Sequence, residues 1–247
     1  MTWGEARVVR WREWAPGLRT LVLDGGLDPF RAGQFVNLGL DLDGQRVQRS
    51  YSLASPPGAP PELFLVHVPG GRFTGALFAR AEGQTVWLCP RAAGHFTLEH
   101  VRSAPLLWLL CTGTGLAPYL SMLRTAEPWE RFERLVLVHA VRERAHLAYA
   151  DELQALDQAH GGKLARVAVI SREPELPPGV LRGRIPALIA SGALEQAAGA
   201  KLDAASSQVL LCGNPGMIEA AREALEARGL RKNRRRDPGQ LTSEAYW

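Results

Sequence analysis

Leu106-Leu107-Trp108-Leu109-Leu110-Cys111-Thr112-Gly113-Thr114-Gly115-Leu116-Ala117-Pro118 is the stretch whose reading decides the architecture. Leu106 to Cys111 is an unbroken apolar run, the signature of a strand buried on both faces. The glycines that follow suit a tight turn, and Pro118 suits the first turn of a helix. Strand, glycine loop and helix in succession form half of a parallel crossover unit.

The same alternation continues toward the C-terminus. Leu135 to His139, Val167 to Ser171 and Val209 to Cys212 are short apolar runs. Helical stretches lie at about Pro118 to Ala126, His146 to His160, Pro186 to Glu195 and Pro215 to Arg228. Buried strands alternating with helices predict a doubly wound parallel sheet. The N-terminal part reads differently. Ala6 to Trp14 and Leu18 to Leu23 flank a Pro16-Gly17 turn; Phe35 to Leu40, Arg46 to Leu53, Leu63 to Val68 and Thr85 to Cys89 follow. Strands separated by turn signals predict a closed antiparallel β-barrel. One helix is expected within it, about Thr74 to Arg80, with Thr74 as N-cap. The expectation is a two-domain β plus α/β protein, with a barrel over 1–100 and a parallel-sheet domain over 101–247.

Composition narrows the class. The chain has 247 residues, 46% hydrophobic and 22% charged, values of an ordinary globular protein. No apolar run approaches the roughly 18–20 residues that span a bilayer. The first residues lack the pattern of a signal peptide, so a soluble, cytoplasmic, monomeric protein is expected. The three cysteines are far apart, and neither C-x-x-C nor H-x-x-x-H spacing occurs, so no metal site is expected. The six histidines read as surface or packing residues. Net charge is +4, with Arg231, Lys232, Arg234, Arg235 and Arg236 crowded near the end. Such a cluster attracts acidic partners or is simply a solvated helix end.

Six stretches carry candidate chemistry. In Arg49-Ser50-Tyr51-Ser52, arginine offers a donor fork for phosphate, tyrosine a flat ring, and serine a hydroxyl. Gly70-Gly71-Arg72-Phe73-Thr74 is a glycine turn entering a helix, where backbone N–H groups favour an anion. Thr112-Gly113-Thr114-Gly115 lets a pyrophosphate approach the backbone; a lone Gly-x-Gly is weak evidence, because βα turns use glycine for packing alone. Arg142, Ser171-Arg172 and Arg184 fall after strand ends, where arginine suits a 2′-phosphate and an acidic residue would instead suit a ribose diol. Cys212-Gly213-Asn214 lies between the last apolar run and the last helix. The chain ends Tyr246-Trp247, two aromatics that either cap a groove or stack on a ligand.

Arg49-x-Tyr51-Ser52 resembles the flavin motif of the ferredoxin–NADP reductase family, and Gly-x-Gly-x-x-Pro resembles that family's NADP loop rather than a standard dinucleotide fingerprint. The six stretches occur in the family's order and span Arg49 to Trp247. The resemblance implies FAD and NADPH/NADP+ as cofactors. It implies that Arg49, Tyr51, Ser52, Gly71, Arg72, Phe73, Thr74, Thr114, Tyr246 and Trp247 hold FAD, the aromatic tail returning to the flavin. It assigns Thr112, Gly113, Gly115, Arg142, Ser171, Arg172, Arg184, Cys212, Gly213 and Asn214 to NADP, and a catalytic part to Ser52, Tyr51 and Cys212. The implied activity is hydride transfer from NADPH to FAD, then single-electron transfer to an acidic ferredoxin or flavodoxin docked on the Arg231–Arg236 cluster. A flavin reductase or the reductase component of an oxygenase shares this architecture; no cysteine set for an iron–sulfur domain is present. A nucleotide sensor that binds FAD without turnover is a third reading. An arginine-rich nucleic-acid-binding protein would leave the glycine loops unexplained, so neither nucleic acid nor membrane is an expected partner.

Overall fold

The computed structural model describes residues 2–246. The chain forms two compact units. One holds the chain up to Thr97 together with Ala117–Thr125; the other holds Leu98–Leu116 and the chain from Ala126 onward.

The first unit is an antiparallel sheet of β1 (Gly4–Ala15), β2 (Leu18–Leu23), β3 (Phe35–Leu42), β4 (Gln45–Ser52), β5 (Glu62–Val66) and β6 (Thr85–Leu88), in the order β4-β3-β6-β1-β2-β5. A bridge between Leu53, just past β4, and Leu63 in β5 joins the two edges, so the sheet closes on itself. Closure removes the exposed edges that would otherwise pair with other chains. Asp43 (φ 51°) and Gly44 (φ 75°) make the left-handed pair that a tight β3–β4 hairpin requires. Alternate residues point inward: Val36, Leu38 and Leu40 of β3 meet Leu21, Leu23, Leu63, Leu65, Val86 and Leu88 in the core.

Helix α1 spans Arg72–Phe78, starting two residues before the expected Thr74. Gly71 is its N-cap and supplies no side chain. Thr74 sits inside the first turn, where its hydroxyl accepts the Val68 N–H at 3.1 Å. The early start follows from Gly71: a Cβ there would lie 2.7 Å from Thr74 Oγ1 and 2.9 Å from Val68 O. Only glycine lets the turn close that tightly. Helix α2 (Ala117–Leu123), buried along its whole length, belongs to this unit. Ser121 Oγ donates to Ser55 O at 2.7 Å. Arg124, just past the helix, donates to Ala54 O at 2.8 Å and pairs with Glu62 at 3.2 Å.

The second unit is a parallel sheet of β7 (Leu106–Thr112), β8 (Arg134–Val141), β9 (Leu164–Ile170), β10 (Leu181–Arg182), β11 (Ser207–Gly213) and β12 (Leu241–Ala245), in the order β10-β9-β8-β7-β11-β12. Its helices are α3 (Glu127–Arg131), α4 (Ala150–Ala159), α5 (Ile185–Ala190), α6 (Ala193–Ala198) and α7 (Pro215–Glu226). The chain winds outward from β7 in one direction and then in the other. The order therefore reverses between β7 and β11, where ligands of such sheets bind beyond the strand C-termini. Every residue of β11 is buried: Val209 to Cys212 form its apolar run, and Ser207 and Gln208 are buried polar residues at its start. Two helices differ from expectation. The one expected over Pro186 to Glu195 is split by Gly192, in the left-handed region at φ 75°. The one expected from His146 starts at Ala150, because Tyr149 adopts φ 62°. The stretch from Leu241, which carries no apolar run, is the edge strand β12 beside β11.

Candidate functional site

In the first unit two of the six stretches meet. Strand β4 sets Tyr51 opposite Val36 and Arg49 opposite Leu38. The Tyr51 ring lies 6.2 Å from that of Phe73, and the Arg49 guanidinium stands 5.9 Å from the same Phe73 ring. The glycine turn and the Arg-x-Tyr-Ser strand therefore form one cluster around Phe73. Burial pushes the Tyr51 phenol up to about 12, against a smaller opposing pull from Arg49, so the hydroxyl stays protonated. Ser52 is buried at the end of β4, whereas Ser50 is exposed and donates to Asn37 Oδ1 at 2.7 Å. Arg72 points to Asp43 on the β3–β4 turn, at 2.5 Å. Both partners are exposed, at 56% and 89%, so water screens the pair and leaves Arg72 able to exchange Asp43 for a phosphate.

In the second unit the glycine loop and the Cys212-Gly213-Asn214 stretch interlock at the switch point. Thr112 Oγ1 accepts the Asn214 N–H at 2.9 Å, and Asn214 Oδ1 accepts the Met217 N–H at 3.1 Å, capping α7. A Cβ on Gly115 would lie 2.6 Å from Cys212 O, and one on Gly213 would lie 2.2 Å from Thr112 Oγ1. Neither glycine has room for a side chain. Thr114 lies in this loop, within the 3₁₀ turn Gly113–Leu116. Tyr246 joins the same corner through its N–H, which donates to Gly213 O at 2.9 Å; Trp247 lies outside the described residues. Cys212 and Cys111 are fully buried neighbours in register on β11 and β7, and burial pushes both thiols up. Neither is a thiolate, so neither is a nucleophile.

The three arginines form a second edge. Arg142, Arg172 and Arg184 follow β8, β9 and β10, are all exposed, and make no side-chain hydrogen bond or ion pair among the described residues. Backbone bonds hold their loops: Arg172 N–H donates to Arg142 O at 2.9 Å, and Gly183 N–H to Ile170 O at 3.2 Å. The Ser171 hydroxyl donates to Val141 O at 3.3 Å. At the end of β8, where an acidic residue would receive a ribose diol, stands Arg142.

Residues 109–223 match the oxidoreductase NAD-binding domain family. Over 247 residues the chain is 43% identical to the flavodoxin/ferredoxin–NADP reductases of Shigella flexneri and of Escherichia coli K12, covering 99% of each chain. The chain belongs to the flavodoxin/ferredoxin–NADP reductase family. A ferredoxin–NADP+ reductase from Neisseria gonorrhoeae, solved with bound FAD and NADP, superposes with a TM-score of 0.93 at 31% identity, over 98% of both chains.

Two further residues sit against the site loops of this family member without any signal in its sequence. His139 on β8 is buried and donates from Nε2 to Gly113 O at 3.0 Å; a carbonyl only accepts, so the proton must sit on Nε2. Burial lowers its pKa to about 4, which keeps the imidazole neutral around pH 7. In a trans peptide the C=O and N–H point oppositely, so pulling Gly113 O toward His139 turns the Thr114 N–H away from it. Glu173 is the other. Its carboxylate accepts the Arg144 N–H. Both contacts reach across more than 25 residues of chain, and no local spacing announces them. Among the described residues of this reductase-family chain, no group of His, Cys, Asp or Glu could hold a metal ion. None of its described helices is long and apolar enough to cross a membrane.

Proposed function

We propose that the chain is an FAD-dependent reductase that takes hydride from NADPH and hands single electrons to ferredoxin or flavodoxin, as a monomer in the cytoplasm. One observation carries this reading. Stretches far apart in sequence assemble into two clusters of the right chemistry, one around Tyr51 and Phe73 and one around the Thr112–Gly115 loop.

The first cluster fits FAD. Tyr51 offers a ring face held by Phe73, Arg49 a guanidinium without an acidic partner among the described residues, and Gly71-Arg72-Phe73-Thr74 a turn into a helix start whose backbone N–H groups suit an anion. Ser52 brings a hydroxyl to the ring. The second cluster fits NADP: Thr112, Gly113 and Gly115 cradle the pyrophosphate, while Gly213 and Asn214 close the corner beside it. Cys212, uncharged, borders the nicotinamide. Arg142, Ser171, Arg172 and Arg184 receive the 2′-phosphate. The flavin, when bound, supplies the conversion between a two-electron donor and a one-electron acceptor. The side chains bind, orient and exclude water.

A visible spectrum of the purified protein, taken before and after anaerobic NADPH, tests the reading. A flavin spectrum bleached by NADPH is expected. A colourless protein, or a yellow one that NADPH leaves unchanged, refutes it.

Docking of an acidic carrier falls to the Arg231–Arg236 segment. Arg231 pairs with Asp237 at 3.0 Å, while the side chains of Lys232, Arg234, Arg235 and Arg236 are exposed and make no ion pair among the described residues. Gly239 lets the returning chain pass close against the segment, since a Cβ there would lie 2.2 Å from Arg231 O. The screening length shrinks to about 10 Å at 0.1 M salt. The second-order rate of electron transfer to an acidic flavodoxin is therefore expected to fall with ionic strength. Replacing Arg234, Arg235 and Arg236 by glutamine should flatten that dependence, and a slope identical to wild type would remove the segment from docking.

A further inference from the structure

We propose that Glu173 is a positioning residue for nucleotide choice: it clasps together the three loops that carry Arg142, Arg172 and Arg184. The inference rests on the NADP reading of those three arginines and names what holds them.

Five arginines crowd the C-terminal ends of β8, β9 and β10, and they fall into two sets. Arg142, Arg172 and Arg184 have no side-chain partner among the described residues. Arg144 and Arg182 are both engaged, and each at Glu173. The Glu173 carboxylate accepts the backbone N–H of Arg144 through one oxygen and pairs with the Arg144 guanidinium at 3.5 Å through the other. The Arg182 guanidinium donates to the backbone carbonyl of Glu173 and, at 2.7 Å, to that of Pro174. Glu173 itself directly follows Arg172.

Each partnerless arginine thus lies within two residues of a member of the clasp: Arg142 before Arg144, Arg172 before Glu173, and Arg184 after Arg182. The clasp has work to do. Strand β10 pairs with β9 at two positions only, so its ladder alone holds it weakly. Five cations on neighbouring loops repel one another, and a carboxylate among them offsets part of that repulsion. Loops held before the ligand arrives spare the ordering cost on binding, so the free trio binds a dianion more tightly than it would on loose loops. A group without a 2′-phosphate draws on none of this, and the clasp therefore acts on discrimination rather than on nucleotide binding in general.

The test uses the FAD-loaded full chain and two probes, adenosine 2′,5′-bisphosphate and 5′-AMP, with dissociation constants measured by calorimetry. Glu173→Ala is expected to weaken the bisphosphate by about tenfold, the scale of supporting residues around a binding group, and 5′-AMP by less than twofold. Arg182→Ala should lower the same ratio independently. Glu173→Gln keeps an acceptor for the Arg144 N–H and should recover part of it. The kcat/KM ratio of NADPH to NADH should fall in parallel, through KM for NADPH. Equal loss for both probes, or an unchanged ratio in both Glu173→Ala and Arg182→Ala, overturns the clasp. An Arg172→Ala/Arg184→Ala variant separates the two levels. If it loses discrimination while Glu173→Ala retains it, the clasp alone fails; if it retains discrimination, the assignment of the 2′-phosphate to these arginines fails.

Discussion

Gly213→Ala is expected to destabilise the chain by about 2–6 kcal/mol, the sum of roughly 1–3 kcal/mol for a strained backbone and roughly 1–3 kcal/mol for forced overlap. Two independent faults combine there. Gly213 sits at φ 130°, a conformation that side chains with a Cβ rarely adopt. Its added methyl would lie 2.2 Å from Thr112 Oγ1, 2.9 Å from Thr112 O and 3.1 Å from Thr112 N. Two of those three atoms are backbone of β7, a strand hydrogen-bonded on both sides to β8 and β11, so relief by a side-chain rotation is not enough. Gly44→Ala is the control. Gly44 also has positive φ, at 75°, yet nothing lies within 4 Å of its missing Cβ. It should cost only about 1 kcal/mol, the conformational part alone. Urea denaturation of both variants decides the matter. A Gly213→Ala loss no larger than that of Gly44→Ala would mean that the interlock of the two loops is not tight. Because a folded domain has only about 5–15 kcal/mol in hand, the first variant should also be visible as poor yield at 37 °C.

That interlock shows where sequence reasoning reaches and where it stops. Strands β7, β8, β9 and β11 were legible because each carries a short, largely apolar run where the sheet is covered, although polar residues such as Arg166 in β9 and Ser207 and Gln208 in β11 fall within the strands. The barrel strands were legible from turns, since Gly17 and Gly44 both adopt the positive φ that those turns demand. Strand β10 was not, because two residues carry no period at all. Strand β12 was not, because an edge strand with alternating half-exposed residues has no apolar run. The partners of α2 were also hidden: Ser121 meets Ser55 and Arg124 meets Glu62, each more than 60 residues away in sequence. The candidate site divides in the same way. Glycine, proline and arginine at strand ends are punctuation that a single sequence displays. A histidine under a loop and a glutamate between two arginines are defined only by what the fold brings to them.

Removing Arg172 and Arg184 together should lower kcat/KM for NADPH by about 10²–10³-fold, because each charge-assisted hydrogen bond to a dianionic phosphate contributes about 1.5–3 kcal/mol and the losses add only in part. On the proposed NADP reading, the loss should appear almost wholly in KM. The 2′-phosphate is remote from the reacting carbon, so its contacts are alike in ground state and transition state and leave kcat nearly untouched. NADH, which lacks that phosphate, should lose little, and the double variant should approach equal use of the two nucleotides. The partnerless state of both side chains sharpens the expectation. An arginine already paired with a carboxylate would have to break that pair to bind phosphate, and its removal would cost correspondingly less. Arg222, paired with Glu219 at 2.5 Å on α7, is the matched control, and Arg222→Ala should leave the NADPH to NADH ratio where it was. Added salt should narrow the wild-type preference, since exposed cations are screened, and should do so less in the double variant, where the cations are gone. A double variant whose preference for NADPH survives would show that the 2′-phosphate is recognised elsewhere on the chain.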